Sequence, residues 1–186
     1  MDNIERAFQT IDRADFVPKE SRSAAILDMP VQIGHGQTNS QPSTVKLMLE
    51  WLDPLPTHSV LDVGSGSGWT TALLAFLVGP EGFIFAVERI PELVEFGRTN
   101  CEKLGIENVQ FHLATEGIFG LPEHEPYDRI LVSASAQELP SGLLDQLKVD
   151  GKMVIPVQND ILEITKTSSG EYETITHPGF VFVPLL

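Results

Sequence analysis

The stretch Val60–Gly68, with the sequence VLDVGSGSG, decides the fold of this chain. Its apolar start predicts a buried strand, and the glycines that follow allow a sharp turn and a close approach of the backbone to a ligand. A second apolar run, Phe83–Val87, predicts a strand that delivers Glu88 to the same sheet edge. A carboxylate about 20 residues after a glycine turn can bind ribose hydroxyls. The two segments together indicate a site for an adenosine-containing cofactor, whereas the glycines alone would also fit a turn without a ligand.

The spacing of the glycines narrows the class of cofactor. A dinucleotide site follows the pattern G-x-G-x-x-G. Here the glycines are Gly64, Gly66 and Gly68, and Asp62 precedes the first of them. This G-x-G-x-G variant resembles the first motif of Rossmann-like methyltransferases that use S-adenosylmethionine, which implies that Asp62 lies near the amino-acid end of the cofactor.

Composition excludes several classes of protein. The chain has 186 residues, 42% of them hydrophobic, which is enough for one α/β domain with a core. The net charge of -14, from 12 basic and 26 acidic residues, argues against binding nucleic acid through its phosphates. The longest apolar stretch, near Ala72–Val78, is too short to cross a bilayer, and the first residues do not resemble a signal segment. We therefore expect a cytoplasmic monomer without a membrane partner.

Cysteine and histidine usage predicts no metal site. Cys101 is the only cysteine and falls in the predicted helix Pro91–Leu104, where we expect a half-buried side chain without chemistry. The histidines lack the paired spacing of metal ligands; they are His35, His58, His112, His124 and His177.

From residue 59 onward, predicted strands alternate with predicted helices. This alternation predicts a mainly parallel sheet with right-handed crossovers and helices on both faces. The predicted strands are Ser59–Val63, Phe83–Val87, Val109–Leu113, Arg129–Ser133 and Met153–Val157, and the predicted helices are Ser67–Leu77, Pro91–Leu104 and Pro140–Leu147. Two later runs, Ile161–Thr165 and Tyr172–Val183, predict an antiparallel hairpin at one edge. The predicted fold is therefore α/β, a doubly wound Rossmann-like sheet with a C-terminal antiparallel hairpin.

The region before the first of these strands is predicted to be irregular. A short helix over residues 2–10 is followed by an irregular segment that ends at Met29-Pro30, and Ile33–Ser40 has the composition of a loop. Pro42 begins a helix that runs to Trp51, with Ser40 or Gln41 near its cap. Ligands of open α/β sheets bind outside the carboxyl ends of the strands. Four loops should therefore converge there, namely 64–68, 88–89, 114–117 and 133–136.

A second motif precedes the glycines. The string Ile33–Pro42, IGHGQTNSQP, resembles the substrate motif I-G-x-G-Q-T-(I/V)-S-Q-P of protein-L-isoaspartate O-methyltransferases. Further matches follow in the order of that family from about residue 12 to the C-terminus; they are Glu88-Arg89-Ile90, Leu121-Pro122, Pro126–Ile130, Leu144–Leu147, Val154–Val157 and Phe182–Leu185.

The resemblance implies a reaction and a set of residues for it. A carboxylate oxygen of an L-isoaspartyl residue in a damaged protein attacks the methyl group of S-adenosylmethionine, giving a methyl ester and S-adenosylhomocysteine. That carboxylate is ionised near neutrality, so no general base is required. Ser40 is the expected catalytic residue and binds the substrate carboxylate, with Gln37 and Thr38 as further substrate contacts. The free N–H groups of the helix that begins at Pro42 are expected to help hold the anion.

The expected cofactor contacts come from the same resemblance. They are Asp62, Gly64, Ser65, Gly66, Gly68, Glu88, Arg89, Glu116 and Gly117. The expected domain covers residues 1–186, with a substrate-loop segment at 1–56, a cofactor-binding core at 57–157 and C-terminal strands at 158–186.

Three departures from the family pattern leave the substrate open. Glu116 replaces an aspartate that reaches the adenine amino group, Asn39 replaces a branched apolar residue, and a shorter N-terminal segment is expected to open the cofactor site. One alternative is a carboxyl methyltransferase for aspartate in a dedicated peptide partner. Another is a protein that binds S-adenosylmethionine without turnover.

Overall fold

The computed structural model describes residues 3–186; residues 1 and 2, and with them the start of the predicted helix 2–10, lie outside the described residues. The helices are α1 Asn3–Thr10, α2 Pro42–Leu52, α3 Trp69–Val78, α4 Pro91–Lys103 and α5 Ser141–Asp145. The strands are β1 Val31–Gly34, β2 Gln37–Asn39, β3 Ser59–Val63, β4 Phe83–Glu88, β5 Val109–Leu113, β6 Tyr127–Val132, β7 Leu147–Val157, β8 Asp160–Lys166 and β9 Tyr172–Pro178.

The main sheet has seven strands in the order β5-β4-β3-β6-β7-β8-β9. Pairing is parallel from β5 to β7 and antiparallel from β7 to β9. This arrangement confirms the predicted α/β class and the antiparallel C-terminal hairpin. The chain moves outward from β3 through β4 to β5 and then crosses to β6 on the other side of β3, so the strand order reverses at β3. Ligands of such sheets bind at this reversal.

Helices cover the two faces of the sheet unequally. One core contains residues of α1, α2, α3 and α4, and the other contains Leu143 of α5 together with Leu121 and Tyr127. No helix within residues 3–186 has the length and apolar character needed to cross a bilayer. Cys101 was expected to be half-buried, but it is fully buried between α4 and the glycine loop. Burial raises the pKa of its thiol to about 12, so the thiol stays protonated.

The structure differs from the prediction in two segments. Ile33–Ser40 was expected to be a loop, but most of it lies in the antiparallel β1–β2 hairpin. Only the turn has loop character, because Gly34, His35 and Gly36 all have positive φ angles. The strand predicted over Tyr172–Val183 ends at Pro178, because Gly179 (φ +93°) turns the chain back toward the sheet.

Several element boundaries also differ from the prediction. α3 begins at Trp69 rather than Ser67, because Gly68 (φ +87°) has a left-handed conformation that a helix excludes. The predicted helix Pro140–Leu147 is reduced to the single turn of α5, and β7 starts at Leu147 instead of Met153. Pairing with Tyr127 of β6 supplies the backbone partners for this early part of β7. Side-chain periodicity carries no information about such pairing.

A contact between two glycines places α4 directly against the glycine loop. A Cβ on Gly68 would lie 3.0 Å from both the Cα and the carbonyl oxygen of Gly97, in the middle of α4. A Cβ on Gly97 would in turn lie 2.7 Å from Cε1 of Phe111. Glycine at both positions therefore allows the helix backbone to pack on the loop backbone.

The Gly97→Ala variant tests this contact. We expect it to lower the free energy of unfolding by about 1–3 kcal/mol, because the added methyl group overpacks the space beside Phe111. The control is Gly142→Ala in α5, where a Cβ would meet nothing within 4 Å. That variant should be neutral or more stable by about 0.5 kcal/mol. Urea denaturation measures both, and equal effects would contradict the overpacking.

Candidate active site

A cavity lies at the carboxyl edge of the parallel strands, at the point where the strand order reverses. The space within its walls and its open mouth together is about 850 Å³. The loops after β3, β4, β5 and β6 all contribute to its wall, as do the β1–β2 hairpin and the last residues of the chain.

The glycine loop forms one side of the cavity. Gly64, Ser65 and Gly66 line it, while the backbone N–H of Gly64 donates to the carbonyl of Val87 at 2.8 Å. This bond holds the start of the loop against β4. A Cβ on Gly66 would lie 3.2 Å from Cδ1 of Ile33, so the β1–β2 hairpin packs closely on the loop. The backbone of the loop is thereby fixed from both sides.

Glu88 ties the glycine loop to the loop that follows β4. Its Oε2 accepts from the N–H of Gly66 at 3.0 Å, and its Oε1 accepts from the N–H groups of Arg89 at 2.8 Å and Ile90 at 3.0 Å. A carboxylate offers roughly four acceptor positions. Glu88 is largely buried but lines the cavity, so it retains capacity for a hydroxyl donor from a ligand.

The β1–β2 hairpin and the residue that follows it bring the predicted substrate residues to the same cavity. Gln37, Thr38 and Ser40 are half-buried and all three line it. The structure thus brings Ser40 and Glu88, which are far apart in the sequence, to one cavity.

Arg13 anchors the chain around Ser40. Its guanidinium is buried and lies over the ring of Trp69, 5.3 Å from the ring centroid. It donates to the side chain of Asn39 and to five backbone carbonyls, those of Ala25, Leu27, Met29, Asn39 and Ser40. Burial lowers the pKa of Arg13, and Asp28 opposes this effect. The segment before β1 is therefore held to the Ser40 region by one cation.

The N-terminus of α2 was expected to offer free N–H groups to an anion, and this expectation was wrong for Ser43. The N–H of Ser43 donates to Oδ1 of Asp28 at 2.9 Å, and Oδ2 of Asp28 accepts from Gln41. The hydrogen bond from Ser43 lowers the pKa of Asp28. Asp28 thus occupies the position at this helix end that an anionic ligand would need.

Four of the predicted cofactor residues do not line the cavity. Asp62 is fully buried beneath α3, and Gly68 packs on α4. Glu116 is exposed and Gly117 faces a neighbouring surface groove, because the chain after Ala114 turns away from the cavity before it returns at Ile118. The residues of this set that line the cavity are Gly64, Ser65, Gly66, Glu88 and Arg89.

Several cavity residues were not among the predicted site residues. Ile118, Phe119 and Gly120 form part of the wall, and the final residues Val183–Leu186 form another part. The N–H of Ser135 donates to the carbonyl of Val183 at 2.7 Å, which seats this tail beside the loop after β6. Phe182–Leu185 had matched the family pattern, but that match did not indicate that the segment lines the cavity.

The buried carboxyl group of Asp62 gives the stability of the protein a dependence on pH. Its Oδ2 accepts from the hydroxyl of Thr71 at 2.7 Å, and its Oδ1 has no partner among residues 3–186. Burial raises the pKa of Asp62 from its ordinary value of 3.8 to about 7, whereas the hydrogen bond from Thr71 opposes the rise. Between about pH 4 and about pH 7, Asp62 in the folded protein holds a proton that it has released in the unfolded chain. The contribution of Asp62 to stability is therefore full below about pH 4 and is lost as the pH rises through about 7.

The Asp62→Asn variant has no such proton to lose. We expect the free energy of unfolding of the wild type to fall relative to that of this variant between about pH 4 and about pH 7, by at most about 1.4 kcal/mol per pH unit. Chemical denaturation at several pH values measures the difference. A difference that does not change with pH would contradict the raised pKa.

Two relatives of similar sequence and one solved structure of similar fold carry the same activity name. A protein-L-isoaspartate O-methyltransferase of Methanopyrus kandleri is 46% identical over 187 residues, covering 98% of this chain and 83% of its own length. One of Aeropyrum pernix is 47% identical over 184 residues, covering 97% and 71% respectively. A solved Plasmodium falciparum structure, described as a protein-L-isoaspartate O-methyltransferase in complex with S-adenosyl-L-homocysteine, has a TM-score of 0.88 at 28% identity and covers 100% of this chain and 91% of its own.

The family model for protein-L-isoaspartate(D-aspartate) O-methyltransferase matches residues 1–186. The relatives cover nearly the whole chain at more than two-fifths identity, and the fold of the solved structure is the fold described above. The chain therefore belongs to the protein-L-isoaspartate(D-aspartate) O-methyltransferase family.

Proposed function

We propose that the protein methylates the side-chain carboxylate of L-isoaspartyl residues in damaged proteins, with S-adenosylmethionine as the methyl donor. The observation that carries this proposal is the shared cavity, which is lined by Ser40 as well as by the glycine loop and Glu88. The family of the chain supports the reaction type.

The residues present fit an adenosine-containing cofactor. The glycine loop presents backbone to the cavity, so a ligand can approach it closely. Glu88 keeps acceptor capacity that suits the hydroxyl groups of a ribose. Phe119 and Ile118 supply an apolar wall next to the loop after β5. S-adenosylmethionine, when bound, supplies an electrophilic methyl group attached to a positively charged sulfur.

We assign Ser40 the binding of the substrate carboxylate through its hydroxyl group. Since the N–H of Ser43 at the end of α2 is taken by Asp28, the hydroxyl carries more of this task than the sequence suggested. Gln37 and Thr38 stand beside Ser40 as further substrate contacts. Orientation of the attacking oxygen, rather than proton transfer, is then the work of the protein.

The ionisable side chains agree with a reaction that needs no general base. Among the described residues, only Glu88 and Arg89 bring an ionisable side chain to the cavity wall. Glu88 is committed to backbone N–H groups, and an arginine does not lose its proton in proteins. A substrate that is already an anion fits this wall better than an alcohol or amine that must be deprotonated.

We also infer that residues 1–186 act as one catalytic domain, because one core cluster joins Ile4 of the first segment, Leu73 of the middle and Ile161 of the last. The net charge of -14 supports a protein or peptide substrate over a nucleic acid.

Methyl transfer to matched peptides tests the proposed function. We expect turnover on a peptide with an L-isoaspartyl residue and none on the same peptide with ordinary aspartate, measured by transfer of a labelled methyl group. The Ser40→Ala variant should lose about 10- to 100-fold in kcat/KM, because a hydrogen bond to a charged group contributes about 1.5–3 kcal/mol. Ser43→Ala, which changes an exposed hydroxyl outside the cavity, is the control. Equal turnover on both peptides, or full activity of Ser40→Ala, would contradict the proposal.

The role of Glu88 is tested by binding of S-adenosylhomocysteine in isothermal titration calorimetry. Glu88→Ala should raise the Kd about tenfold or more, since it removes a charge-assisted acceptor and frees the two loops that Glu88 joins. Glu88→Gln keeps one acceptor oxygen and should have a smaller effect. Exposed Glu92 in the first turn of α4 provides the control variant Glu92→Ala. An unchanged Kd for Glu88→Ala would be the contrary result.

A further inference from the structure

Asn39 forms the side-chain bridge between the two halves of the cavity. Its Oδ1 accepts from Nε of Arg13 at 2.8 Å, and its Nδ2 donates to Oγ of Ser67 at 3.1 Å. Asn39 and Ser67 are both buried, with 5% and 2% of their surfaces exposed. Asn39 immediately precedes Ser40, whereas Ser67 belongs to the glycine loop. The bridge thus connects the proposed substrate side to the proposed cofactor side.

Each end of the bridge is anchored independently of it. On the substrate side, Arg13 also donates to the carbonyl oxygens of Asn39 at 3.1 Å and Ser40 at 2.9 Å. On the cofactor side, Nδ2 of Asn100 in α4 donates to the carbonyl of Ser67 at 3.1 Å. Loss of the Asn39 side chain would therefore leave both loops attached to their own supports. It would remove the buried hydrogen bond that connects the two loops.

We infer that Asn39 is a positioning residue for methyl transfer, which fixes the distance between the hydroxyl of Ser40 and the glycine loop through its contact with Ser67. This inference rests on the proposed function. Transfer of a methyl group between two bound partners depends on their alignment, and a displacement of about 1 Å can cost about 100-fold in rate. A hydrogen-bonded bridge between buried groups resists such displacement, because separating the loops leaves a buried donor and a buried acceptor unpaired.

The inference predicts a loss of kcat without a comparable loss of cofactor affinity. Asn39→Leu keeps the number and branching of the side-chain heavy atoms and removes both hydrogen bonds. We expect its kcat to fall about tenfold or more on an L-isoaspartyl peptide, while the Kd for S-adenosylhomocysteine changes less than about threefold, since Glu88 and Asn100 still hold the glycine loop. Asn39→Asp should restore kcat to within about threefold of wild type, because its carboxylate accepts from Arg13 and the hydroxyl of Ser67 can turn to donate to it.

A double-mutant cycle with Ser67→Ala tests the bridge itself. Ser67→Ala removes the same hydrogen bond from the other side. The kcat of the double variant Asn39→Leu/Ser67→Ala should therefore be about that of the less active single variant, and its loss of kcat should not be the product of the two single losses. Asn108→Leu is the matched control. The side chain of Asn108 donates to three carbonyls, those of Ala75, Gly79 and Gly82, at the opposite edge of the sheet. The Asn108→Leu variant should be less stable than the wild type but should keep its kcat per folded molecule.

The possible outcomes separate this inference from the proposed function. If the wild type methylates the peptide and Asn39→Leu keeps its kcat per folded molecule, Asn39 stabilises the fold only and the inference is overturned. Multiplicative losses in the cycle would overturn it as well, because they mean that Asn39 and Ser67 act separately. If the wild type shows no turnover, the proposed function is overturned, and the inference that rests on it is overturned as well.

Discussion

The buried guanidinium of Arg13 is the interaction on which the cavity depends. A buried charge is tolerated only when hydrogen bonds replace its hydration, and Arg13 meets this condition with five backbone carbonyls and one side-chain oxygen. Those acceptors come from the segment before β1 and from the end of β2. Irregular backbone on either side of the hairpin is thereby fixed without a helix or sheet of its own. The position of Ser40 follows from this arrangement.

The other side of the cavity is fixed by a different means. The glycine loop has few side chains with which to pack, so it is held by close backbone contact with Gly97 and by the carboxylate of Glu88. Such contacts leave the inner surface of the loop open to a ligand, although the N–H groups of Gly64 and Gly66 are already bonded to Val87 and Glu88. The two sides, one organised by a cation and the other by an anion, meet at the pair Asn39 and Ser67.

Much of the sheet could be predicted from the sequence, because its central strands are short apolar runs between turn residues. The run before Gly64 is an example, since burial on both faces requires apolar residues along the whole strand. The β1–β2 hairpin could not be recognised, because the two apolar positions of its first strand, Val31 and Ile33, are too few to establish a period of two. The early start of β7 likewise depends on a partner strand that is distant in sequence.

The candidate site was predictable where one residue type is chemically necessary. Glu88 and the glycines at 64 and 66 belong to this class, and the structure brings them to the cavity. Glu116 was expected there by transfer of a motif, but the outward turn of the backbone after Ala114 directs it to solvent. The role of Arg13 left no trace in the sequence, because its acceptors lie 12 to 27 residues away and most are carbonyls that any residue supplies.

The tail that returns to the cavity is held through its main chain. The carbonyl of Val183 accepts from Ser135, and the N–H of Leu185 donates back to the carbonyl of Ser135 at 2.8 Å. Any residue except proline at position 185 can make these bonds, so side chains here can be exchanged while the segment keeps its course. Its side chains nevertheless form part of the cavity wall. Natural variation can thus reshape what the enzyme accepts at this wall without disturbing the architecture that carries the reaction.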